Sequence, residues 1–553
     1  MGKSNDNEME RAVKARIREE HEHTEKSAAS EVDNSVEGIR RAVEERVASE
    51  ADELKTDQEK EPKLSDPFID SCLNGNVLGD AVLYNTLHRD RVVYIKNKQE
   101  HLTFGPHSWK RDVMGRALSL VEEGPVRQYS RKYVRNAAAI TDLMGRDPDN
   151  DSNSYKIARL QRQQKKLLKR IDQLRDERRR KAVLHFTHTI ENPLAITGDE
   201  LDQKPMRFPC GNGVIDLERG IRLDGRPKDY LSLGSTVEFR GIDEPAPLWE
   251  KSVLEILGRD EEFMDYTQRL FGYGMTGLVH EKVFPVLYGK TGWNGRSMLI
   301  ETINYVMGTL AGSIPAEMLL SSGRIGSGSA TSPSADIMRL QGLRMAFASE
   351  TDEGHRFSAS KVKWLTGKDE LVGRNPYDKY LTSFQPTHKL FLMTNTKPSA
   401  PPNDRAFWER LHLIPFDISF VNREPQEPYE RRAILDLDQQ LRKEAPGILA
   451  WLVRGCLLWQ KHGLKPPRKI TEATEKYRRD EDLLADYIDE CCIREPGAKC
   501  SASELYGRFV TWYHANIGVK EPSGHWFGKQ LSQKYEKSKS NGKIIYHGID
   551  LAD

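Results

Sequence analysis

The residues best suited to chemistry lie in one run, Gly289-Lys290-Thr291-Gly292-Trp293-Asn294-Gly295-Arg296-Ser297. Glycines let a backbone approach phosphate closely, a basic side chain can reach the outer phosphate oxygens, and a hydroxyl can hold a divalent metal. Gly289, Gly292, Asn294, Gly295, Arg296 and Ser297 therefore form the candidate nucleotide-binding set, with Ser297 a candidate Mg2+ ligand. Two features depart from the general phosphate-loop pattern. Arginine stands where lysine is expected, and Gly289 precedes it by seven positions instead of six. On this run alone, a structural turn is the competing reading.

The elements around the run must aim it. Phe284, Val286, Leu287 and Tyr288 suit one buried strand, and Met298, Leu299, Ile300 and Ile303 resume at helical spacing. Strand, glycine-rich loop and helix together direct N–H groups and a helix N-terminus at an anion. Three further segments end in polar groups. Met345 to Ala348 is a short apolar strand leading to Ser349-Glu350, and a carboxylate there could organise a metal or orient water. His388 to Asn395 is another, ending where a γ-phosphate sensor would sit, and Asp404 to Phe416 offers Arg405 and Arg410 ahead of a strand. Between them, Lys361 to Asp369 reads as a helix ending at Gly367, and Arg374 to Phe384 as a hairpin carrying Arg374 and Lys379.

In this order the motifs GxxGxNG(K/R)S, ASETDEG, KxLTGxD, a strand ending in TN, and WxRLxxIPF resemble the superfamily 3 helicase core of the phage and plasmid primase–helicases, a family that includes the poxvirus primase–helicase. The flanks are similar too: GNVLGDA and the strands through Trp109 upstream, then CGNGVIDLERG, QRLFGYGMTG, RRDEDLLADY and SASELYGRFVTWY, so that the resemblance covers roughly 67 to 553. It implies an α/β protein with an AAA+-type P-loop ATPase core, an α/β N-terminal module, a helical oligomerisation segment and a winged-helix-like C-terminal domain. The activity implied is an ATP- and Mg2+-dependent DNA helicase acting as a homo-hexameric ring on single-stranded DNA, in replication of a phage, satellite or plasmid-like element. Glu350, Asn395 and Arg410 become the catalytic set (metal-organising acid, sensor and a finger reaching a neighbouring subunit), and Glu350 joins Ser297 at the metal. Lys363, Arg374 and Lys379 become DNA contacts, although Lys363 also reads as a surface charge and Arg410 as a structural salt bridge. Relatives often end the acidic strand in two carboxylates. Here Ser349 precedes Glu350, leaving Asp352 or Glu353 as the second acid. Residues before Pro67 are too few for a priming domain, so a separate primase is the expected partner. The competing function is an origin-binding scaffold that binds ATP but hydrolyses it poorly, with His525, Trp526, Lys529 and Lys534 suited to a recognition helix.

The remaining sequence bounds these expectations. The 553 residues suffice for several domains, and a formal charge of +1 leaves nucleic-acid binding to local patches. No apolar run is long enough to span a membrane and no signal segment is evident, which implies a cytoplasmic protein. Six cysteines match no zinc spacing. Residues 1–64 read as a charged, disordered or loosely helical tail, and 65–145 as the α/β module. Within 146–245 a breaker loop spans Gly145 to Ser154, where Asp147, Asp149 and Asp151 fit turn chemistry. Tyr155 to Leu184 then reads as one long helix, basic on one face, which is either a nucleic-acid stripe or merely solvated. Residues 206–240 are β-rich. Residues 246–282 are amphipathic helix that packs either between subunits or within one, 283–420 the ATPase core, 421–480 helical, and 481–553 the C-terminal domain.

Overall fold

The computed structural model describes residues 64–146, 151–321, 335–349, 355–376, 381–519, 521–540 and 542–552. They divide into two compact units, one running to Thr103 and over Arg111–Ile196, the other over Phe104–Lys110 and from Thr197 onward.

The first unit opens with α1 (Asp66–Asn74), capped by Ser65, whose hydroxyl accepts from Phe68 N, with Pro67 in the first turn where its missing N–H costs nothing. Helix α2 (Asn76–His88) crosses it closely at Gly79, where a Cβ would lie 1.9 Å from Cys72 O. Strand β1 (Val92–Ile95) pairs antiparallel with β2 (Glu100–Phe104) and parallel with β3 (Ala195–Ile196). Helix α3 (Arg116–Val121) passes through a π turn at Glu122–Val126, where Pro125 withdraws its N–H from the ladder, and continues as α4 (Arg127–Arg146).

Two expectations change here. The breaker loop shrinks, because α4 runs through Gly145 and the next helix, α5 (Asp151–Arg175), begins inside it. The single long helix is also broken: Asp176 is extended (φ −79°, ψ 136°) and caps Arg179 N at the start of α6 (Glu177–Thr187). A short aspartate can satisfy an N-terminal N–H, which favours a restart over continuation. Leu167, Ile171, Leu174 and Val183 bury against Tyr84 and Tyr129, so the basic helix belongs to this unit rather than to the β-rich segment that follows.

The second unit begins with an antiparallel sheet of β4 (Arg207–Cys210), β5 (Gly213–Asp216) and β6 (Ile221–Leu223). The amphipathic segment forms α7 (Pro247–Ile256) and α8 (Glu261–Gly274), separated by two left-handed residues, Gly258 and Arg259. Next come β7 (Phe284–Tyr288), α9 (Arg296–Met307), β8 (Ala311–Pro315), β9 (Met345–Ser349), α10 (Ala359–Leu365) and the hairpin β10 (Leu371–Gly373) to β11 (Thr382–Phe384). Strands β12 (Lys389–Thr394) and β13 (Leu411–Pro415) complete a parallel five-stranded sheet of order β13–β7–β12–β9–β8. Its strands read as nearly unbroken apolar runs because both faces are covered.

A small parallel pair follows, β14 (Ser419–Val421) and β15 (Glu430–Arg432), then α11 (Ala445–His462) and α12 (Arg468–Asp480). Helix α8 lies against α11 at backbone distance. A Cβ on Gly272 would fall 2.1 Å from Cys456 N, and one on Gly455 2.1 Å from Gln268 O. Trp249 and Trp451 meet edge-to-face at 5.5 Å in the same core, each fully buried aromatic contributing about 2–3 kcal/mol. Packing within one chain therefore accounts for the apolar face of α7 and α8. The chain closes with α13 (Leu483–Cys491), β16 (Lys499–Ser501), α14 (Ala502–Asn516), α15 (Gly524–Lys534), β17 (Lys537–Ser540) and β18 (Lys543–His547), the strands antiparallel in the order β16–β18–β17. Ser501 and Glu504 form a reciprocal capping box at the start of α14.

Candidate nucleotide site

The glycine-rich run leaves the carboxyl end of β7, between the ends of β12 and β13. In an open parallel sheet, ligands bind where the chain departs to opposite sides. Gly289 has no room for a side chain, since a Cβ would lie 2.1 Å from Asn294 Nδ2. Gly295 takes φ +80° against Ile256, at 2.6 Å from a hypothetical Cβ, and Trp293 is also left-handed at φ +61°. Gly292 is unconstrained: nothing lies within 4 Å of the same position.

Asn294 is buried and braces the turn. Its Nδ2 donates to Thr291 O at 2.6 Å, and its Oδ1 accepts from Arg296 N at 3.4 Å and Arg296 Nε at 3.0 Å. Ser297 is exposed in the first turn of α9, where the positive end of the helix favours an anion. Beside the loop is a cavity of about 700 Å3, within the range of small-molecule sites. Ile256, Trp293, Met298 and Phe420 give it apolar walls, and Phe420 N donates to Trp293 O at 2.7 Å, tying the loop to β14. Arg259 and Arg431 approach Glu255 on its rim, at 2.8 and 3.3 Å. The hydrogen bond from Arg259 is the main reason its carboxyl lies below the usual range.

Arg296 departs from its expected direction. Its guanidinium is buried and turned back under the strands, with Nη1 donating to Leu287 O at 2.8 Å and to Thr394 O, and Nη2 donating to Asn395 Oδ1. Desolvation pushes it below the ordinary arginine value. A flat fork with several fixed donors fits two carbonyls and two amide oxygens at once, which a lysine could not. The residue therefore joins the loop to the candidate sensor Asn395, itself exposed at the end of β12.

Arg410 lies elsewhere. Its carbonyl accepts from Phe284 N at 2.6 Å at the start of β7, and its Nη1 donates to Ala406 O. The five-residue strand separates it from the loop by roughly 16 Å. Lys363 is ion-paired to Asp404 at 2.7 Å, and Asp404 also caps the turn at Phe407. Arg374 leaves β10 toward the hairpin tip. Glu350, Lys379, Asp352 and Glu353 lie outside the described residues.

Lys397, which sequence reasoning passed over, stands two residues beyond Asn395. It lies over the rings of Tyr288 and Tyr477, at 5.3 and 5.1 Å, and 3.7 Å from Asp480. Its one signal was proximity to the TN motif. Among the described residues no cluster of His, Cys, Asp and Glu could hold a metal, and no helix is long and apolar enough to cross a membrane.

Residues 81–258 match the family described as D5 N terminal like. The chain is 28% identical over 336 residues to an Acanthamoeba polyphaga mimivirus protein named “Putative helicase L207/L206”, covering 58% of this chain and 34% of that one. It is 24% identical over 400 residues to “Putative helicase 022R” of Frog virus 3 (59% and 41%). To “Putative primase C962R” of African swine fever virus it is 25% identical over 360 residues (61% and 36%). The match thus spans between 34% and 41% of the length of these relatives. Among solved structures, the apo NrS-1 C-terminal region is similar at 10% identity with a TM-score of 0.42, over 83% of this chain and 96% of that one. Residues 81–258 thus carry a D5 N-terminal-like region, and the chain is similar to viral proteins named as helicases and primases.

Proposed function

We propose that this chain is an ATP-driven DNA helicase of superfamily 3, with an AAA+-type core in the second unit, working in replication of a virus-like or mobile element. The observation that carries the reading is the juxtaposition, at the carboxyl ends of adjacent sheet strands, of the glycine-rich loop and Asn395, joined through Arg296. The residues suit a nucleotide: the tight glycine turn, the N-terminus of a twelve-residue helix, the exposed Ser297 hydroxyl and an adjacent apolar-walled cavity. ATP with Mg2+ supplies the phosphoanhydride whose cleavage drives movement on DNA.

In this reading the loop N–H groups cradle phosphate, Ser297 and Glu350 hold the metal, and Glu350 also orients water. Trp293, Ile256 and Phe420 wall the cavity that takes the base. Asn395 contacts the outer phosphate once Arg296 turns from it, and the guanidinium then moves from main-chain oxygens to phosphate oxygens. Arg410 is too far along the sheet to serve its own loop, so it acts on a neighbour's site in a ring, a homo-hexamer on single-stranded DNA. Arg374 and Lys379 track the strand together with Lys363, which its ion pair with Asp404 holds in place on the helix before that hairpin. A cytoplasmic setting and a separate primase belong to the same proposal.

The second reading, a scaffold that binds ATP and hydrolyses it poorly, is favoured by one observation: every polar arm of Arg296 already has a partner inside the chain. ATP turnover with and without single-stranded DNA, for the wild type, Arg296→Lys and Glu350→Gln, separates the two. The motor predicts DNA-stimulated turnover that Glu350→Gln abolishes. DNA binding at full strength with no turnover in the wild type overturns it in favour of the scaffold, and a gain in Arg296→Lys marks the arginine as the brake.

A further inference from the structure

The basic helix α5 carries two sets of cations that the fold treats differently. The inward set is neutralised. Arg170 and, from the neighbouring α6, Arg179 reach the two oxygens of the fully buried Asp80 at 2.8 Å each, and Arg175 with Arg180, also of α6, closes on Glu122, the former at 2.9 Å. The outward set is Arg159, Arg162, Lys165, Lys166 and Lys169, all exposed, with no ion-pair partner among the described residues.

At 100° per residue these five, with the exposed Tyr155, fall within about 120° of the helix surface, roughly opposite Leu167, Ile171 and Leu174. No Asp or Glu occurs between Asp151 and Asp172. A helix face that is only solvated gains from mixing signs at i,i+4, whereas here Arg162–Lys166 and Lys165–Lys169 set like charges at that spacing and repel. The unit supplies carboxylates to the inward set and none to this outward stretch of α5, so an external polyanion is what would relieve the repulsion.

We infer that the outward face of α5 is a docking surface for the phosphate backbone of duplex DNA. Arg159 to Lys169 spans about 15 Å of helix axis, a length facing about four successive phosphates of one strand. Tyr155 at one end is the row's sole aromatic, whereas a single-strand platform interleaves aromatics on which bases stack. Cations without a stacking surface read backbone alone, which suits a duplex whose bases are hidden and gives binding without sequence preference. This surface needs no nucleotide, so it stands or falls apart from the motor.

The test uses the full chain without nucleotide, a short blunt-ended duplex, and the fourfold variant Arg159→Gln, Arg162→Gln, Lys166→Gln and Lys169→Gln. The logarithmic salt slope of duplex affinity should flatten by about 3–4 and low-salt affinity should fall at least about tenfold. Far-UV circular dichroism should be unchanged, because glutamine keeps the helix. Arg159→Lys with Arg162→Lys, which keeps the charge, should bind as the wild type does. Equal slope and affinity in wild type and fourfold variant overturns the inference. So does a loss confined to a single-stranded oligonucleotide, or a wild type that binds no duplex.

Discussion

The two units bury positive charge by different means. In the first, Arg170 and Arg179 converge on one carboxylate, Asp80, which also accepts from Tyr129 Oη at 3.0 Å. In the second, buried Arg344 and Lys389 rest on main-chain oxygens: Arg344 on Met275 O at 2.6 Å and Lys204 O at 3.2 Å, Lys389 on Thr276 O and, at 3.4 Å, Leu278 O. The Met275, Thr276 and Leu278 oxygens follow the C-terminus of α8, where the helix dipole favours cations. A carbonyl solvates a cation without cancelling it. Burial accordingly pushes Arg344 down to about 10 and Lys389 well below the ordinary lysine range. Carboxylate pairing makes a lock that fails when one partner goes; carbonyl solvation makes a site that tolerates loss of the charge.

Removing the lock should have the largest effect. Asp80→Asn leaves two arginines without their counter-charge and should cost about 3–5 kcal/mol, read as a lower denaturant midpoint for the first unit. An unchanged midpoint would erase the distinction between the units.

Acid should act on both units alike. His88 in the first and His388 in the second are buried, and desolvation holds each imidazole at about 4, against 6.5 when exposed. Between those values the unfolded chain binds more protons than the folded one. Stability is therefore full above pH 6.5 and is lost as the pH falls toward 4, by up to about 3 kcal/mol per histidine. Denaturant midpoints measured at neutral pH and near pH 4 check this, and a loss in one unit only would contradict it.

Lys389→Met is the counterpart of Asp80→Asn. It leaves carbonyls without a donor, at about 1–3 kcal/mol, but no longer buries an amine at a disfavoured charge, so the net loss should be smaller than for Asp80→Asn. A larger loss would show that carbonyl solvation holds as tightly as pairing. Lys363→Met should matter least for stability, within about 1 kcal/mol, because its pair with Asp404 is partly exposed.

Much of the site was legible because it is local. Gly289, Gly295 and Asn294 form one turn, and the apolar runs before Ser349 and Asn395 are strands in register with β7 or its neighbour. Periodicity also marked the apolar faces of α5 and α8. It did not mark the break at Asp176, which rests on a single cap, or the partner of α8, which lies on α11 far along the chain.

The sequence by itself determined where a phosphate-binding turn could form and which strands would end on polar groups, because turn chemistry and alternation are settled by neighbours. Only the tertiary structure decided where the charges go. Asp80 meets Arg170 across 90 residues and Arg296 meets Asn395 across 99. Nothing in local spacing says that one arginine of α5 will be neutralised while Arg159, Arg162 and Lys169 stay exposed, or that Arg296 will turn under the sheet. Ion pairs and buried hydrogen bonds take whichever partner the packed chain brings within reach, and that is fixed only when the units close.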